Sequence, residues 1–158
     1  MHKASSGEIE ILRMEETHLR EVLLIEKKSF AAPWSRQLFE ETLAFPLSVN
    51  LVMKMGKKII GYINLYIIRD EAHILNVAIH PSLRRKGYAS TLFNHTISFL
   101  KERRITQYLL EVREGNVGAI NLYRKYGFQV IGKRKKYYTE TNEDALVMQL
   151  SSGMLTDG

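Results

Sequence analysis

Length and composition set the first limits on this 158-residue chain, which is 45% hydrophobic and 25% charged. This size and balance are typical of one globular domain with a substantial core, and they exclude disordered and fibrous classes. Because the chain has no cysteine, disulfide frameworks, thiolate metal sites and cysteine nucleophiles are excluded as well. The net charge of +6 favours nucleic acid, an anionic membrane surface, the ribosome or a polyphosphate cofactor, and an ordinary basic surface explains it equally well.

The apolar runs and the two ends of the chain bear on its cellular location and on the bounds of its domain. No apolar run approaches the roughly 20 residues that a membrane-spanning helix needs, and no secretory leader pattern appears at the start. We therefore expect a cytoplasmic protein with one domain over residues 1–158. The tails, 1–7 and 151–158, are polar or lack hydrophobic periodicity, so we expect them to be flexible.

Hydrophobic spacing predicts the elements in chain order. Alternation marks strands, recurrence at three and four residues marks helices, and Ser35, Pro46 and Gly127 mark helix ends. The predicted strands are 8–13, 48–53, 58–68, 72–79, 107–112, 128–135 and 145–150. The predicted helices are 17–29, a second between Ser35 and Pro46, a third that begins near Arg85, and a fourth over 119–126. The order βααβββαβαββ indicates a mixed α/β (α+β) fold with a partly parallel central sheet.

A basic loop connects the strand 72–79 to the third helix. Arg84, Arg85 and Lys86 supply cations, Gly87 lets a ligand approach the backbone, and the first turn of the helix has unpaired N–H groups that attract anions. The spacings of a Walker phosphate loop and of a dinucleotide fingerprint are absent, which argues against ATP and NAD. The structural alternative is a solvated helix start whose charges face water.

The pattern Arg84-x-x-Gly87-x-Ala89 after Asn76-Val77-Ala78-Ile79 resembles the acyl-CoA-binding motif of the GNAT (GCN5-related N-acetyltransferase) superfamily. The element order resembles that fold too. The resemblance implies a splayed mixed sheet of seven or so strands with four helices, and acetyl-CoA as cosubstrate. It further implies a pantetheine site on the backbone of Val77, Ala78 and Ile79, and a phosphate site made of Arg84, Arg85, Lys86, Gly87, Tyr88, Ala89 and Ser90.

Acetyl transfer to an amine needs a base for the nucleophile and an acid for the departing thiolate. Glu111 ends an otherwise apolar strand, where partial burial would suit it as a base. Tyr123 lies on the inward stripe of the following helix, and its phenol could protonate the sulfur. Each has a structural alternative, because Glu111 could pair with a neighbouring arginine such as Arg113 and Tyr123 could be a core residue.

Segments 110–116, 119–123 and 126–128 are similar to the signature of ribosomal-protein-alanine (RimI-like) and Ard1-type N-terminal acetyltransferases. This resemblance covers nearly the whole chain. It implies that Glu111 accepts the proton, that Asn116 contacts CoA, and that Tyr123 lies against CoA and donates a proton to it.

Two further motifs match the same group and imply where the acceptor binds. By the resemblance Pro33, Trp34, Tyr137 and Tyr138 flank the N-terminus of the substrate peptide. The structural alternatives are a core anchor for Trp34 and an ordinary strand for the two tyrosines. Arg84 replaces a more usual Gln and Ala89 replaces the second Gly, and both are tolerated variants that keep the phosphate contact. His73-Ile74 resembles the eukaryotic Ard1 type and not the bacterial one, which leaves the acceptor preference open.

The sequence therefore predicts a cytoplasmic N-terminal protein acetyltransferase that works by direct attack in a ternary complex. Its partners would be protein or peptide N-termini, ribosomal proteins among them, and association with the ribosome is left open. We expect no metal, because the five histidines lack ligand spacing, and no membrane or sequence-specific nucleic acid partner. The alternatives are a lysine or small-amine acetyltransferase of the same fold, and a non-catalytic acyl-CoA binder that docks on ribosomal RNA.

Overall fold

The computed structural model describes the backbone of residues 7–138 and 142–151, and their side chains except those of 136–138 and 151. Within that part the order is βααβββαβαββ, which confirms the predicted order. The strands are β1 (Ile9–Arg13), β2 (Ser48–Met55), β3 (Lys58–Ile68), β4 (Glu71–Ile79), β5 (Gln107–Arg113), β6 (Gln129–Tyr138) and β7 (Glu143–Ser151). The helices are α1 (Leu19–Ser29), α2 (Arg36–Ala44), α3 (Tyr88–Glu102) and α4 (Val117–Lys125). The predicted tails lie, apart from Gly7 and Ser151, outside the described residues.

Two helices begin later than the sequence predicts. A 3₁₀ turn occupies Glu16–His18, so α1 begins only at Leu19. The predicted start of α3 near Arg85 is wrong, because Arg85 and Gly87 have φ angles of 62° and 86°, in the left-handed region that ends or precedes a right-handed helix. The basic residues before Tyr88 therefore form a loop and not the first turn of the helix.

The strands form a mixed sheet in the order β1-β2-β3-β4-β5-β7-β6. The β1–β2, β2–β3, β5–β7 and β6–β7 pairs are antiparallel, whereas β4 and β5 are parallel, which confirms the predicted sheet type. The β4–β5 ladder pairs Glu71–Ile74 with Gln107–Leu110, and the splay implied beyond it stays a prediction. Strand β7 lies between β5 and β6 although it follows both in the chain.

Packing groups the described residues into two units, and residues 7–66 with 76–99 make up the first. Apolar side chains on α1 recur at three and four residues, so one face of the helix is buried against the strands. No helix among the described residues is long and apolar enough to span a membrane. The core cluster of the first unit contains Met14, Leu19, Val22, Ile25, Phe39, Val52, Ile59, Tyr62 and Ala78.

The second unit consists of residues 67–75 and the described residues from 100 onward. Strand β5 alternates as a half-buried strand should, with Tyr108, Leu110 and Val112 buried. Helix α4 buries Ile120 and Tyr123 on one face. Glu111 lies between the buried residues Leu110 and Val112, so its side chain is on the other face of β5.

Helix α4 ends in a Schellman motif, which confirms the predicted role of Gly127. The Gly127 N–H donates to the Arg124 carbonyl at 2.9 Å, and the Phe128 N–H donates to the Tyr123 carbonyl at 3.0 Å. The rings of Tyr123 and Phe128 make the accompanying apolar contact, with centroids 5.9 Å apart. The orientation of the last turn of α4 is fixed by these three contacts.

Replacing Gly127 by Ala is expected to destabilise the protein by about 1 kcal/mol or more, because residue 127 has a φ of 98°, which a Cβ disfavours. Gly118→Ala on the same helix is the matched control. An added Cβ there has nothing within 4 Å, so Ala is expected to stabilise α4 by about 0.5–1 kcal/mol. Urea unfolding measures both changes, and equal losses in the two variants would contradict the role of the left-handed φ.

Candidate active site

The start of α3 presents unpaired backbone donors directly after a loop of basic residues. The Gly87 carbonyl accepts the first helical hydrogen bond, from the Thr91 N–H at 3.1 Å. The N–H groups of Tyr88, Ala89 and Ser90 therefore have no acceptor within the helix, and the helix dipole adds partial positive charge there. This arrangement suits a phosphate, as the sequence predicted.

The three cations of the loop are not equivalent. The Arg84 side chain binds back to the protein, with Nε donating to the Ile79 carbonyl at 3.2 Å and Nη2 donating to Ser29 Oγ at 3.0 Å. Arg85 and Lys86 are exposed beside the helix start. The sequence placed all three at the phosphate, whereas the structure gives Arg84 a role in holding the end of β4.

The last residues of β4 are largely buried, and some of the backbone groups there already have hydrogen-bond partners within the protein. Ala78 and Ile79 are 8% and 7% exposed, and Val77 is half-buried. The Ile79 carbonyl accepts from Arg84, and the next residue, His80, donates its N–H to the Ile60 carbonyl at 2.7 Å. The contact of Val77, Ala78 and Ile79 with pantetheine stays a prediction.

Pro33 and Trp34 lie in the irregular segment 30–35 between α1 and α2. The Trp34 ring packs against Phe39 with centroids 5.1 Å apart and lies half-buried against the core cluster, which supports its structural alternative as a core anchor. The predicted cap of α2 is confirmed, since Ser35 Oγ accepts from the Leu38 N–H at 3.1 Å. Contact of Pro33 and Trp34 with a substrate stays a prediction.

Sequence reasoning missed a buried carboxylate behind this segment. Glu26 of α1 is 1% exposed, and its Oε2 accepts the Trp34 N–H at 3.0 Å. Its Oε1 accepts from the Tyr62 hydroxyl at 2.5 Å and from Asn76 Nδ2 at 2.9 Å. Burial, followed by the charge and hydrogen bond of Glu26, raises the pKa of Tyr62 well above its ordinary value, so the hydroxyl stays protonated as a donor.

In the second unit, Glu111 forms an ion pair with Arg134, an arginine that the sequence did not single out. Its side chain is 32% exposed, and Oε1 accepts from Arg134 Nη1 at 2.8 Å. The sequence suggested Arg113, which is two residues away on the same strand. Arg134 lies on β6, and β7 lies between β6 and the strand of Glu111. A pair that spans an intervening strand has no signature in the neighbouring sequence.

A neighbouring ion pair also involves the basic run of β6. Lys133 Nζ lies 3.0 Å from Glu114 Oε1 and 3.8 Å from Asp144 Oδ2. The hydrogen bond to Glu114 is the main reason why the pKa of Lys133 is raised. Two cations of β6 are thus paired with carboxylates, which weakens this strand as a docking site for RNA.

Tyr123 and Asn116 stand at the two ends of α4. Tyr123 is 7% exposed and packs on Phe128, so its structural alternative as a core residue is supported. Asn116 caps the helix, because its Oδ1 accepts from the Ala119 N–H at 3.2 Å. The sequence had given Asn116 only a CoA contact, and the cap was missed.

Tyr137 and Tyr138, the remaining predicted substrate residues, belong to β6, but their side chains lie outside the described residues. The structure therefore brings together Pro33 and Trp34 with the Glu26 cluster in the first unit. It also places the basic loop of that unit, residues 84–87, directly before α3. Glu111 with Arg134, and Asn116 with Tyr123 on α4, belong to the second unit.

The two roles of Asn116 can be separated by mutation. Asn116→Ala is expected to cost about 1 kcal/mol of stability because the α4 amide loses its acceptor, whereas Asn116→Ser retains a capping oxygen and most of the stability. If Asn116 also contacts CoA, the Ser variant raises the KM for acetyl-CoA while its urea midpoint stays near that of the wild type. A Ser variant as unstable as the Ala variant would contradict the capping role.

Comparison with known proteins identifies the class to which this fold and these sites belong. A model of the acetyltransferase (GNAT) family matches residues 19–128, and the chain belongs to that family. The predicted superfamily and fold are confirmed, and the protein is an acetyltransferase. The reading as a non-catalytic binder is therefore not retained.

Three known proteins show how far the similarity extends. A Bacillus subtilis (strain 168) protein, provisionally named ribosomal protein bS18-alanine N-acetyltransferase, is 38% identical over 138 residues, which are 87% of this chain and 90% of the relative. The crystal structure of the ribosomal-protein-S18-alanine N-acetyltransferase from Escherichia coli has a TM-score of 0.85 and 32% identity, covering 91% of this chain and 94% of that one. Ard1 from Thermoplasma volcanium has a TM-score of 0.84 and 26% identity, covering 90% and 97%.

Proposed function

We propose that the protein transfers the acetyl group of acetyl-CoA to the α-amino group of protein N-termini. The observation that carries the proposal is the start of α3. Three backbone N–H groups without an acceptor in the helix follow exposed Arg85 and Lys86 there, in a chain of the acetyltransferase family. A pyrophosphate is the group of acetyl-CoA that such a site would hold. The cofactor would continue along the backbone of Val77, Ala78 and Ile79 with its pantetheine arm, and Asn116 would contribute a further contact.

Glu111 and Tyr123 are the proposed base and acid of a direct transfer. The amine nitrogen forms a bond to the thioester carbon, the carbon–sulfur bond breaks, and the amine proton passes through a water to Glu111. Tyr123 protonates the departing CoA sulfur. An α-amino group needs only mild help, since its pKa is about 7.7–8.0, compared with about 10.4 for lysine.

Two lines of support suggest the acceptor: the names of the similar proteins, and the segment of Pro33 and Trp34 in the first unit. The similar proteins from Bacillus subtilis and Escherichia coli are named for the alanine of ribosomal protein bS18, so a peptide with the N-terminal residues of bS18 is the first acceptor to test. Pro33, Trp34, Tyr137 and Tyr138 would flank its first residues. The enzyme would act in the cytoplasm, on ribosomal proteins before or after they join the ribosome.

A panel of peptides tests the acceptor class. We expect acetylation of the bS18 N-terminal peptide with free α-amine, and a loss of at least about 100-fold in kcat/KM when that amine is blocked, even if the peptide carries lysine. Mass spectrometry with isotopically labelled acetyl-CoA locates the product. Equal rates on N-blocked lysine peptides or on a small polyamine would favour the alternative acceptors over the proposal.

Substitution of the two proposed catalytic groups tests the chemistry. Glu111→Gln is expected to lower kcat by about 100-fold or more, and Tyr123→Phe by a similar factor, since each removes one proton transfer. Arg134→Met is the control for Glu111, because it breaks the same exposed ion pair but leaves the carboxylate in place. Full turnover by Glu111→Gln, or an equal loss in Arg134→Met, would show that Glu111 is not the base.

A further inference from the structure

The buried carboxylate of Glu26 connects three separate segments of the first unit. Its two oxygens receive hydrogen bonds from β3 through Tyr62, from β4 through Asn76, and from the segment 30–35 through the Trp34 N–H. The Trp34 N–H, the Tyr62 hydroxyl and the Asn76 amide all act as donors, which suits a carboxylate with its two acceptor oxygens. A buried carboxylate is unfavourable unless it is hydrogen-bonded, and these three donors meet that need.

We propose that Glu26 is a positioning residue that holds segment 30–35 in the shape that receives the acceptor peptide. This inference rests on the proposed function, in which Pro33 and Trp34 contact the peptide. Glu26 itself is buried and does not touch substrate, so its effect reaches the acceptor only through the Trp34 backbone.

Segment 30–35 depends on this contact more than the strands do. The strands are hydrogen-bonded to their neighbours along the sheet, whereas the segment is irregular and has a side-chain acceptor for its Trp34 amide. The Trp34 ring packs on Phe39, which packs edge-on against Tyr62 with centroids 6.0 Å apart. Tyr62 also donates to Glu26. The segment is therefore held to the Glu26–Tyr62 pair twice, by its Trp34 N–H and, through Phe39, by its Trp34 ring.

Three variants separate a positioning role from a merely structural one. Glu26→Met fills the space without an acceptor and releases the Trp34 N–H. Glu26→Gln is the conservative rescue, because its carbonyl can still accept that N–H while the Tyr62 hydroxyl and the Asn76 amide, which also accept, turn towards the new amino group. Tyr62→Phe is the matched control, since it removes one hydrogen bond from the carboxylate but leaves the bond to Trp34.

Steady-state kinetics with acetyl-CoA and the bS18 N-terminal peptide is the first measurement. Glu26→Met is expected to raise the peptide KM about tenfold, as the loss of one charge-assisted hydrogen bond would, with kcat and the acetyl-CoA KM changed less than about threefold. Glu26→Gln and Tyr62→Phe are expected to keep the peptide KM within about threefold of the wild type. A peptide KM that is unchanged in Glu26→Met, or KM values for both substrates that rise alike in all three variants, would overturn the proposal.

Trp34 provides a second measurement that needs no substrate, because it is the single tryptophan of the chain. Acrylamide quenching of its fluorescence is expected to increase in Glu26→Met and to stay near the wild-type value in Glu26→Gln and Tyr62→Phe, at a temperature where circular dichroism shows each protein folded. If the wild type acetylates no peptide, the proposed function fails. Quenching alone then decides whether Glu26 holds the segment, and equal quenching in Glu26→Met and the wild type would refute it.

Discussion

The amides at the start of a helix need acceptors from outside the helix, and this requirement organises the candidate sites. Helix α2 meets it with Ser35 and helix α4 with Asn116, each through its own side-chain oxygen. Helix α3 follows Gly87, which has no side chain to offer. The left-handed φ of Gly87 also turns the chain so that the helix begins abruptly after the basic residues. Of these three helices, α3 is the one whose first amides suit an external anion.

Helix α1 holds the segment that leads to the start of α3 at two points. Glu26 binds Asn76 in β4, and Ser29, one turn further along α1, accepts from Arg84 after the strand. Arg84 also binds the Ile79 carbonyl. The stretch from 76 to 84 is thus fixed at both ends by side chains of one helix. The sheet ladder holds Asn76 as well, so the loop after β4 depends chiefly on the bond between Arg84 and Ser29. A loop fixed in this way needs little reordering when a ligand binds, which is how rigid elements support affinity.

Features with a local pattern were predictable, and those that depend on distant contacts were not. The element order, the Ser35 cap and the Gly127 helix end follow from spacing and residue type. The ion pair of Glu111 with Arg134 depends on β7 lying between their strands, which no neighbouring residues indicate. The start of α3 was misplaced because Arg85 adopts a left-handed φ that its side chain does not favour. Glu26 left a usable signal, since it lies four residues after buried Val22 on the apolar face of α1.

The sequence motif around α4 contains residues that stabilise the helix and residues proposed to bind CoA. A nine-residue helix is marginal by itself, so its ends must be fixed by capping and packing. The residues that fix them are Asn116 at the start and Tyr123, with Phe128, at the end, and two of these are also the proposed CoA-contacting residues. Sequence similarity over this helix therefore reflects structural and chemical requirements together. The same geometry makes the overlap useful, because side chains that define the ends of a helix are already held in place when a substrate arrives.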